Sequence, residues 1–343
     1  MRGVLVKQWT TFDQLPLLEL PEPQMPDNGI SIRVQAAGIS FATSLVVQGK
    51  YQRKPPLPFT PGTEVAGIVE AVGPDTKRFK VGDRVCSVLD WGGLAEIAVA
   101  QEVNVYKIPD ALEFSRAIVF TNSYATSAAA LLWPHLLDLQ AGETLLVHGA
   151  SGGVGIAAVE IGKILGATVI ATAGSDEKLA TAKAHGADHT INYKTEKFRD
   201  HVIELTAGRG ANKVYDPVGG DVFMESLRCM APEGRIMPVG FAGGDVPQIP
   251  ANHLLVKNLS VCGLNMGLYF GWGKVDLRYE YEDRIRAHME QLFSWFEQGR
   301  ITPVVNTTYP LEDYKQAMDD VLQRRAIGRI AVVMDEEAAR LKK

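Results

Sequence analysis

From residue 144 to residue 264 short apolar runs alternate with longer helix-like stretches, and few architectures accept that order. Residues 144–148, 167–172, 190–193, 213–216, 234–239 and 258–264 read as strands, while 153–165, 177–184 and 198–206 read as helices. Strand, helix, strand at this spacing predicts parallel strands joined by crossover helices, hence a doubly wound sheet with both faces covered. The fold class expected is α/β.

The two ends of the chain read differently. Residues 3–6, 29–36, 65–72, 84–88 and 94–99 are β-like runs punctuated by Gly and Pro, and helical signal is scarce there. Lys54-Pro55-Pro56-Leu57-Pro58 is a stiff connector, because each proline fixes its own φ and keeps the preceding residue out of the helical region. Residues 114–132 are helix-like, and the tail carries helices at 281–297 and 314–322 with a strand at 329–334. The reading is a β-rich domain built from residues 1–121 and 263–343, interrupted by a nucleotide-binding domain at 122–262. A length of 343 residues suits two domains.

Composition narrows the class of function. Hydrophobic residues at 46% and charged residues at 22% are those of a globular protein, and no apolar run reaches membrane-spanning length. The first residues lack an export signal, which makes the cytoplasm the expected location. A net charge of −5 without basic blocks argues against nucleic acid as a partner. Three scattered cysteines, Cys86, Cys229 and Cys262, predict reduced thiols without a disulfide framework.

The chemistry is concentrated at the glycine turn His148-Gly149-Ala150-Ser151-Gly152-Gly153-Val154-Gly155, between a strand and a helix. Ser151, Gly152, Gly153 and Val154 are placed to approach a pyrophosphate, Gly155 permits close helix–strand packing, and the helix N-terminus attracts the negative charge. NAD-selective turns carry a carboxylate at the tip of the second strand. This tip reads Thr172-Ala173-Gly174-Ser175, so a 2′-phosphate meets no repulsion, and Ser175 and Lys178 are able to bind it. NADP is the expected coenzyme. Ser175 also reads as a plain helix N-cap, and the two roles are compatible.

These residues carry a resemblance. Gly62-Thr63-Glu64-Val65-Ala66-Gly67 through Gly73, with Gly82-Asp83-Arg84-Val85, resembles the signature of the medium-chain dehydrogenase/reductase superfamily. The glycine turn, Gly186-Ala187-Asp188 with Ile191-Asn192-Tyr193, and Tyr215-Asp216-Pro217-Val218-Gly219-Gly220 are similar to its quinone oxidoreductase, zeta-crystallin-like branch. The resemblance implies a Rossmann sheet inserted in a GroES-like catalytic domain. It implies nicotinamide contacts at Thr126, Gly240, Phe241, Leu264 and Asn265, and contacts near the adenosine phosphate from Tyr193 and from Arg324 or Arg325. Zinc-dependent members carry Cys-His where this chain has Ser40-Phe41, and Gly-His-Glu at Gly62-Thr63-Glu64, so no metal is expected. Relatives pair the last sheet edge across a two-fold axis, which makes a homodimer the expected assembly.

Without a metal, the acceptor must be polarised by hydrogen bonds and brought to hydride-transfer distance. The quinone branch has Asn at Ser40 and tyrosines at Leu45 and Tyr51, so Ser40, Tyr51 and Thr126 are the catalytic candidates. A quinone is the expected substrate. An activated carbon–carbon double bond, in an enone or an enoyl thioester, is the alternative, and a non-catalytic nucleotide- or RNA-binding role ranks below both. Residues 268–281 are rich in aromatics, which fits a lid over a planar acceptor, a subunit contact, or a loop fastened to its own domain. Trp91 carries the same ambiguity. The pair Tyr193 and Lys197 has the Tyr-x-x-x-Lys spacing of short-chain dehydrogenases, but that motif needs a helix and Tyr193 ends a strand-like run.

Overall fold

The structure, a computed structural model, describes residues 1–334. Two compact units divide the chain. Among the described residues, the first comprises Met1–Asn122, Met266–Glu297 and 303–334; the second comprises Ser123–Asn265 and Gln298–Thr302.

The second unit is a six-stranded sheet in which every pairing is parallel. Across the sheet the order is His189–Asn192, Thr168–Ala173, Thr144–Val147, Ala211–Asp216, Met230–Pro238 and Ser260–Val261. The chain starts in the middle at Thr144–Val147, winds outward to one side, and returns to the other side at Ala211–Asp216. That reversal leaves a crevice at the carboxyl ends of these two strands, where ligands bind in open α/β sheets. Burial on both faces explains the unbroken apolar runs: Leu145, Leu146 and Val147 are fully buried, and Ile170, Val214 and Ile236 join Phe198, Phe223 and Leu227 in one core.

In the first unit a mostly antiparallel sheet runs Val305–Pro310, Arg329–Val333, Gly29–Ile39, Glu64–Val72, Arg84–Val88 and Val105–Lys107, with Ile97–Gln101 paired to Gly29–Ile39. Gly67 lies where this sheet is tightest. A Cβ there would stand 2.1 Å from the carbonyl oxygen of Arg33 on the neighbouring strand.

Several elements depart from the sequence reading. The strand expected at 258–264 shrinks to Ser260–Val261, because helix Ala251–Lys257 runs up to it and ends on Asn258 in a left-handed conformation (φ 53°). That helix buries none of its residues, so it left no amphipathic pattern to read. The expected helix at 114–132 is three pieces: Phe114–Val119, a π-helical turn Phe120–Tyr124, and Ala125–Leu132. Helix Phe41–Val47 and strand Val305–Pro310 were not expected, since their short runs mix apolar with Ser, Thr and Asn.

Candidate active site

In the second unit, strand Thr144–Val147 gives way to a turn in which Gly149 takes a φ of 55° and Gly152 caps helix Gly153–Ile164. The turn fastens to both neighbouring strands: His148 N–H donates to the Tyr215 carbonyl at 3.0 Å and Ala150 N–H to the Thr172 carbonyl at 3.0 Å. A Cβ on Gly155 would lie 2.2 Å from the Gly149 carbonyl oxygen and 2.7 Å from the Ala150 Cα. Gly155 therefore serves the turn itself. Further along the same helix Gly162 lets it close onto the sheet, where a Cβ would meet the Leu145 and Val169 side chains at 2.8 and 3.0 Å. With Ser151 buried and the first N–H groups of the helix lacking intrahelical partners, the turn fits a pyrophosphate.

His148 supports the turn from beneath. It is buried, with Nδ1 2.9 Å from the Thr172 hydroxyl and Nε2 2.8 Å from the Ser226 hydroxyl. Ser226 gives its proton to the Val222 carbonyl at 2.7 Å, so its oxygen accepts from Nε2–H, and Nδ1 accepts from Thr172. The ring is thus a satisfied neutral imidazole. Burial lowers its pKa, with Asp216 acting in the opposite sense.

Beside the turn, helix Ala125–Leu132 holds Thr126, 8% exposed, next to Ser127. Ser127 donates to the Val154 carbonyl at 2.8 Å and meets the Tyr215 hydroxyl at 2.7 Å, which ties this helix to the glycine helix. Because the Ser127 proton is so engaged, Tyr215 donates to it; burial holds that phenol well above its ordinary pKa. Ser127 was missed in the sequence for lack of any motif around it. The third wall is the loop after Ala211–Asp216, where the buried Asp216 carboxylate accepts from the N–H groups of Val218 (2.8 Å) and Gly219 (3.1 Å). Ala242 and Gly243 N–H groups bond back to the Pro217 and Val218 carbonyls, so Gly240 and the half-exposed Phe241 belong to a braced loop. Leu264 and Asn265 follow Ser260–Val261 beyond that edge of the sheet.

At the tip of Thr168–Ala173, Ser175 occupies the cap position of helix Asp176–Ala184 yet makes no cap hydrogen bond with its side chain. Tyr193 follows strand His189–Asn192, and its ring lies over Gly174: a Cβ there would meet the Tyr193 hydroxyl at 2.7 Å and the Lys194 Cε at 3.2 Å. Gly174, Ser175, Tyr193 and Lys194 thus converge, with Lys178 one helical turn from Ser175. Lys194 had escaped notice, because its proximity comes from the pairing of two strands distant in sequence. Residues 193–195 form a turn and Lys197 lies just before helix Phe198–Leu205, so Tyr193 and Lys197 share no helix face.

In the first unit Ser40 caps helix Phe41–Val47, accepting from Thr43 N–H at 3.4 Å and sharing a hydrogen bond with the Thr43 hydroxyl at 3.1 Å. Tyr51 lies in the bends after that helix, half-buried, and burial raises its phenol pKa. Glu64, 2% exposed, accepts from Asn122 Nδ2 at 2.7 Å and from the Arg329 guanidinium at 2.5 Å. The Arg325 guanidinium is paired with Asp319 and Asp320, and Arg324 has a left-handed φ of 57°. A cavity of about 510 Å³ in this unit is lined by Phe59, Asp90, Trp91, Gln101 and Arg278 among others; neither Ser40 nor Tyr51 lines it. Residues 268–281 are fastened within their own unit: the Phe270 carbonyl accepts from Asn104 (3.1 Å), and the Tyr279 hydroxyl bonds Asn28 and Gln101 at 2.8 Å each.

A braced glycine turn at the switch point of a doubly wound parallel sheet, with a second unit built around an antiparallel sheet, defines a dinucleotide-dependent oxidoreductase. The family descriptions "Alcohol dehydrogenase GroES-like domain" and "Zinc-binding dehydrogenase" match residues 26–110 and 153–281. The rat "Quinone oxidoreductase-like protein 2" is 39% identical over 90% of this chain and 86% of its own length, and the human "Quinone oxidoreductase" 32% identical over 97% and 98%. The Escherichia coli quinone oxidoreductase, solved in complex with NADPH, superposes with a TM-score of 0.86 at 28% identity, over 97% of this chain and all of that one. The chain belongs to the medium-chain dehydrogenase/reductase superfamily, in its zinc-free quinone oxidoreductase branch.

The zinc in the second description does not fit the residues present. The Ser40 hydroxyl is engaged as a helix cap, the Glu64 carboxylate by Asn122 and Arg329, and among the described residues no three His, Cys, Asp or Glu side chains gather to hold a metal ion. Among the described residues no helix is long and apolar enough to cross a membrane.

Proposed function

We propose that this oxidoreductase uses NADPH to reduce a quinone, without a metal. The observation that carries the coenzyme reading is the tip of Thr168–Ala173: Ser175 has an uncommitted hydroxyl, Tyr193 and Lys194 converge on Gly174, and the tip itself carries no carboxylate. Ser151, Gly152, Gly153 and Val154 would hold the pyrophosphate; Ser175, Lys178 and Tyr193 the 2′-phosphate; Thr126, Gly240, Phe241, Leu264 and Asn265 the nicotinamide end. NADPH supplies the hydride when bound.

For the acceptor, the names of the relatives at 39% and 32% identity support a quinone. So does the chemistry. Reduction to a hydroquinone needs one hydride and one proton besides, and the reduced oxygens are basic enough to take that proton from a phenol or from water. Tyr51, kept protonated by its burial, is the donor we assign, and Ser40, whose oxygen accepts from Thr43 N–H, gives its own proton to a hydrogen bond with the acceptor oxygen. The test is the rate of NADPH oxidation with quinones, enones and enoyl thioesters compared in parallel. The reading expects quinones to give the highest kcat/KM; a higher value for an enone or enoyl thioester transfers the assignment to double-bond reduction.

We also propose a homodimer paired along Ser260–Val261, the short edge strand of the parallel sheet. Leu255 and Val256, 78% and 77% exposed on the adjoining helix, support it.

A further inference from the structure

The Tyr51 segment has little backbone structure to hold it. Lys50 N–H bonds to the Leu45 carbonyl and Phe59 N–H to Val6, but among the described residues the stretch 51–58 makes no backbone–backbone hydrogen bond. Its position is left to side chains. Arg53, two residues after Tyr51, donates to the Asp90 carboxylate at 2.7 Å and to the Asp90 carbonyl at 3.1 Å. Its guanidinium carbon also lies 5.5 Å from the centre of the Trp91 ring and 5.7 Å from that of Trp272.

Asp90 is itself fixed. Arg278, 4% exposed, reaches the same carboxylate oxygen at 3.2 Å and bonds Asp276 at 2.8 Å. It lies flat on Gly271, where any Cβ would fall 2.0 Å from the Arg278 guanidinium, so only glycine leaves room for it. Trp272 is set one residue further, its backbone N–H bonded to the Gly267 carbonyl at 2.8 Å. The aromatic segment thus presents an indole to Arg53 and a second guanidinium to Asp90. Two rings and a carboxylate on one guanidinium is a geometry that arginine satisfies and lysine does not.

We propose that Arg53 is a positioning residue for the reaction: clasped by Asp90, Trp91 and Trp272, it fixes the turn that carries Tyr51. It rests on the reading of Tyr51 as proton donor. The aromatic segment gains a role by the same step, as the fixed wall of that clasp.

The experiment is a double-mutant cycle in NADPH-dependent reduction of a benzoquinone, with Tyr51→Phe, Arg53→Ala and the double variant, alongside Arg53→Lys and Asp90→Asn. Binding of NADPH, titrated by protein fluorescence, and the melting temperature are followed for each. Tyr51→Phe is expected to lower kcat by about tenfold or more. Arg53→Ala should lower kcat by a similar factor and leave the dissociation constant of NADPH unchanged. It should cost nothing further in kcat once Tyr51 is Phe. Arg53→Lys should recover part of the loss, and Asp90→Asn should reproduce a milder form of it in a folded protein. Multiplicative losses in the double variant would overturn the proposal, since Arg53 would then act independently of Tyr51; so would wild-type kcat in Arg53→Ala. A wild-type kcat in Tyr51→Phe would instead overturn the donor reading, and the proposal with it.

Discussion

Lys194 is a residue that a linear reading passes over. Ser175 and Lys178 could be picked out because they follow the glycine turn at the distance where coenzymes are discriminated, and the absence of an acid there was plain in the sequence. Lys194 becomes relevant only when Thr168–Ala173 and His189–Asn192 pair in register and carry it over Gly174. Ser175 shows the opposite case: the sequence allows it to be a cap, and the structure shows its side chain making no cap bond. If Lys178 faces a 2′-phosphate, Lys178→Ala should raise the KM for NADPH by about ten- to a hundredfold, the worth of one charge-assisted hydrogen bond. NADH should be nearly unaffected and kcat spared, because the contact is remote from the reacting carbon. Lys194→Ala should act in the same direction more weakly. Equal effects on both coenzymes, measured in steady-state kinetics, would remove either lysine from the site.

Elements were legible in proportion to their burial. The central strands of the parallel sheet, buried on both faces, were visible in the sequence, and the glycine turn was marked by its own residues. The helix Ala251–Lys257, none of whose residues is fully buried, and the π-helical turn Phe120–Tyr124, which needs a tertiary setting to form, were not. Nor does sequence reveal that strands Thr144–Val147 and Thr168–Ala173 and helix Gly220–Arg228 are joined through one imidazole. His148 is neutral when folded, with its pKa lowered by burial. The unfolded chain takes up a proton near the ordinary histidine value of about 6.5, while the folded protein resists it. Its contribution to stability is therefore complete above that value and declines as the pH falls toward the lower folded pKa. His148→Gln, measured by thermal melting, should lower stability at neutral pH by about 1–3 kcal/mol through its broken hydrogen bonds. It should also flatten the loss of stability between about pH 7 and 5. An acid limb as steep as that of the unaltered protein would assign this titration to another group.

At the scale of the molecule, the α/β fold class and the superfamily were readable because strand–helix alternation and glycine spacing persist over most of the sequence. The clasp around Arg53 was not, since Arg53, Asp90 and Trp272 come from three distant stretches. The edge strand was expected to be long, and its reduction to Ser260–Val261 shifts weight in the proposed dimer onto the helix before it. Leu255→Glu combined with Val256→Lys should yield a monomer in light scattering or sedimentation, with the fold retained, because neither side chain packs inside its own chain. A monomer mass for the unaltered protein, independent of concentration, would refute the dimer.

The reaction proposed for this chain is hydride transfer from NADPH to a quinone without a metal ion, with Ser40 and Tyr51 on the acceptor oxygen. The direct measurement is quinone-dependent oxidation of NADPH by protein dialysed exhaustively against a chelator, with NADH run alongside. Turnover is expected to equal that of untreated protein, with kcat/KM at least about tenfold higher for NADPH than for NADH. Activity lost on chelation and restored only by zinc, or a preference for NADH, would contradict it.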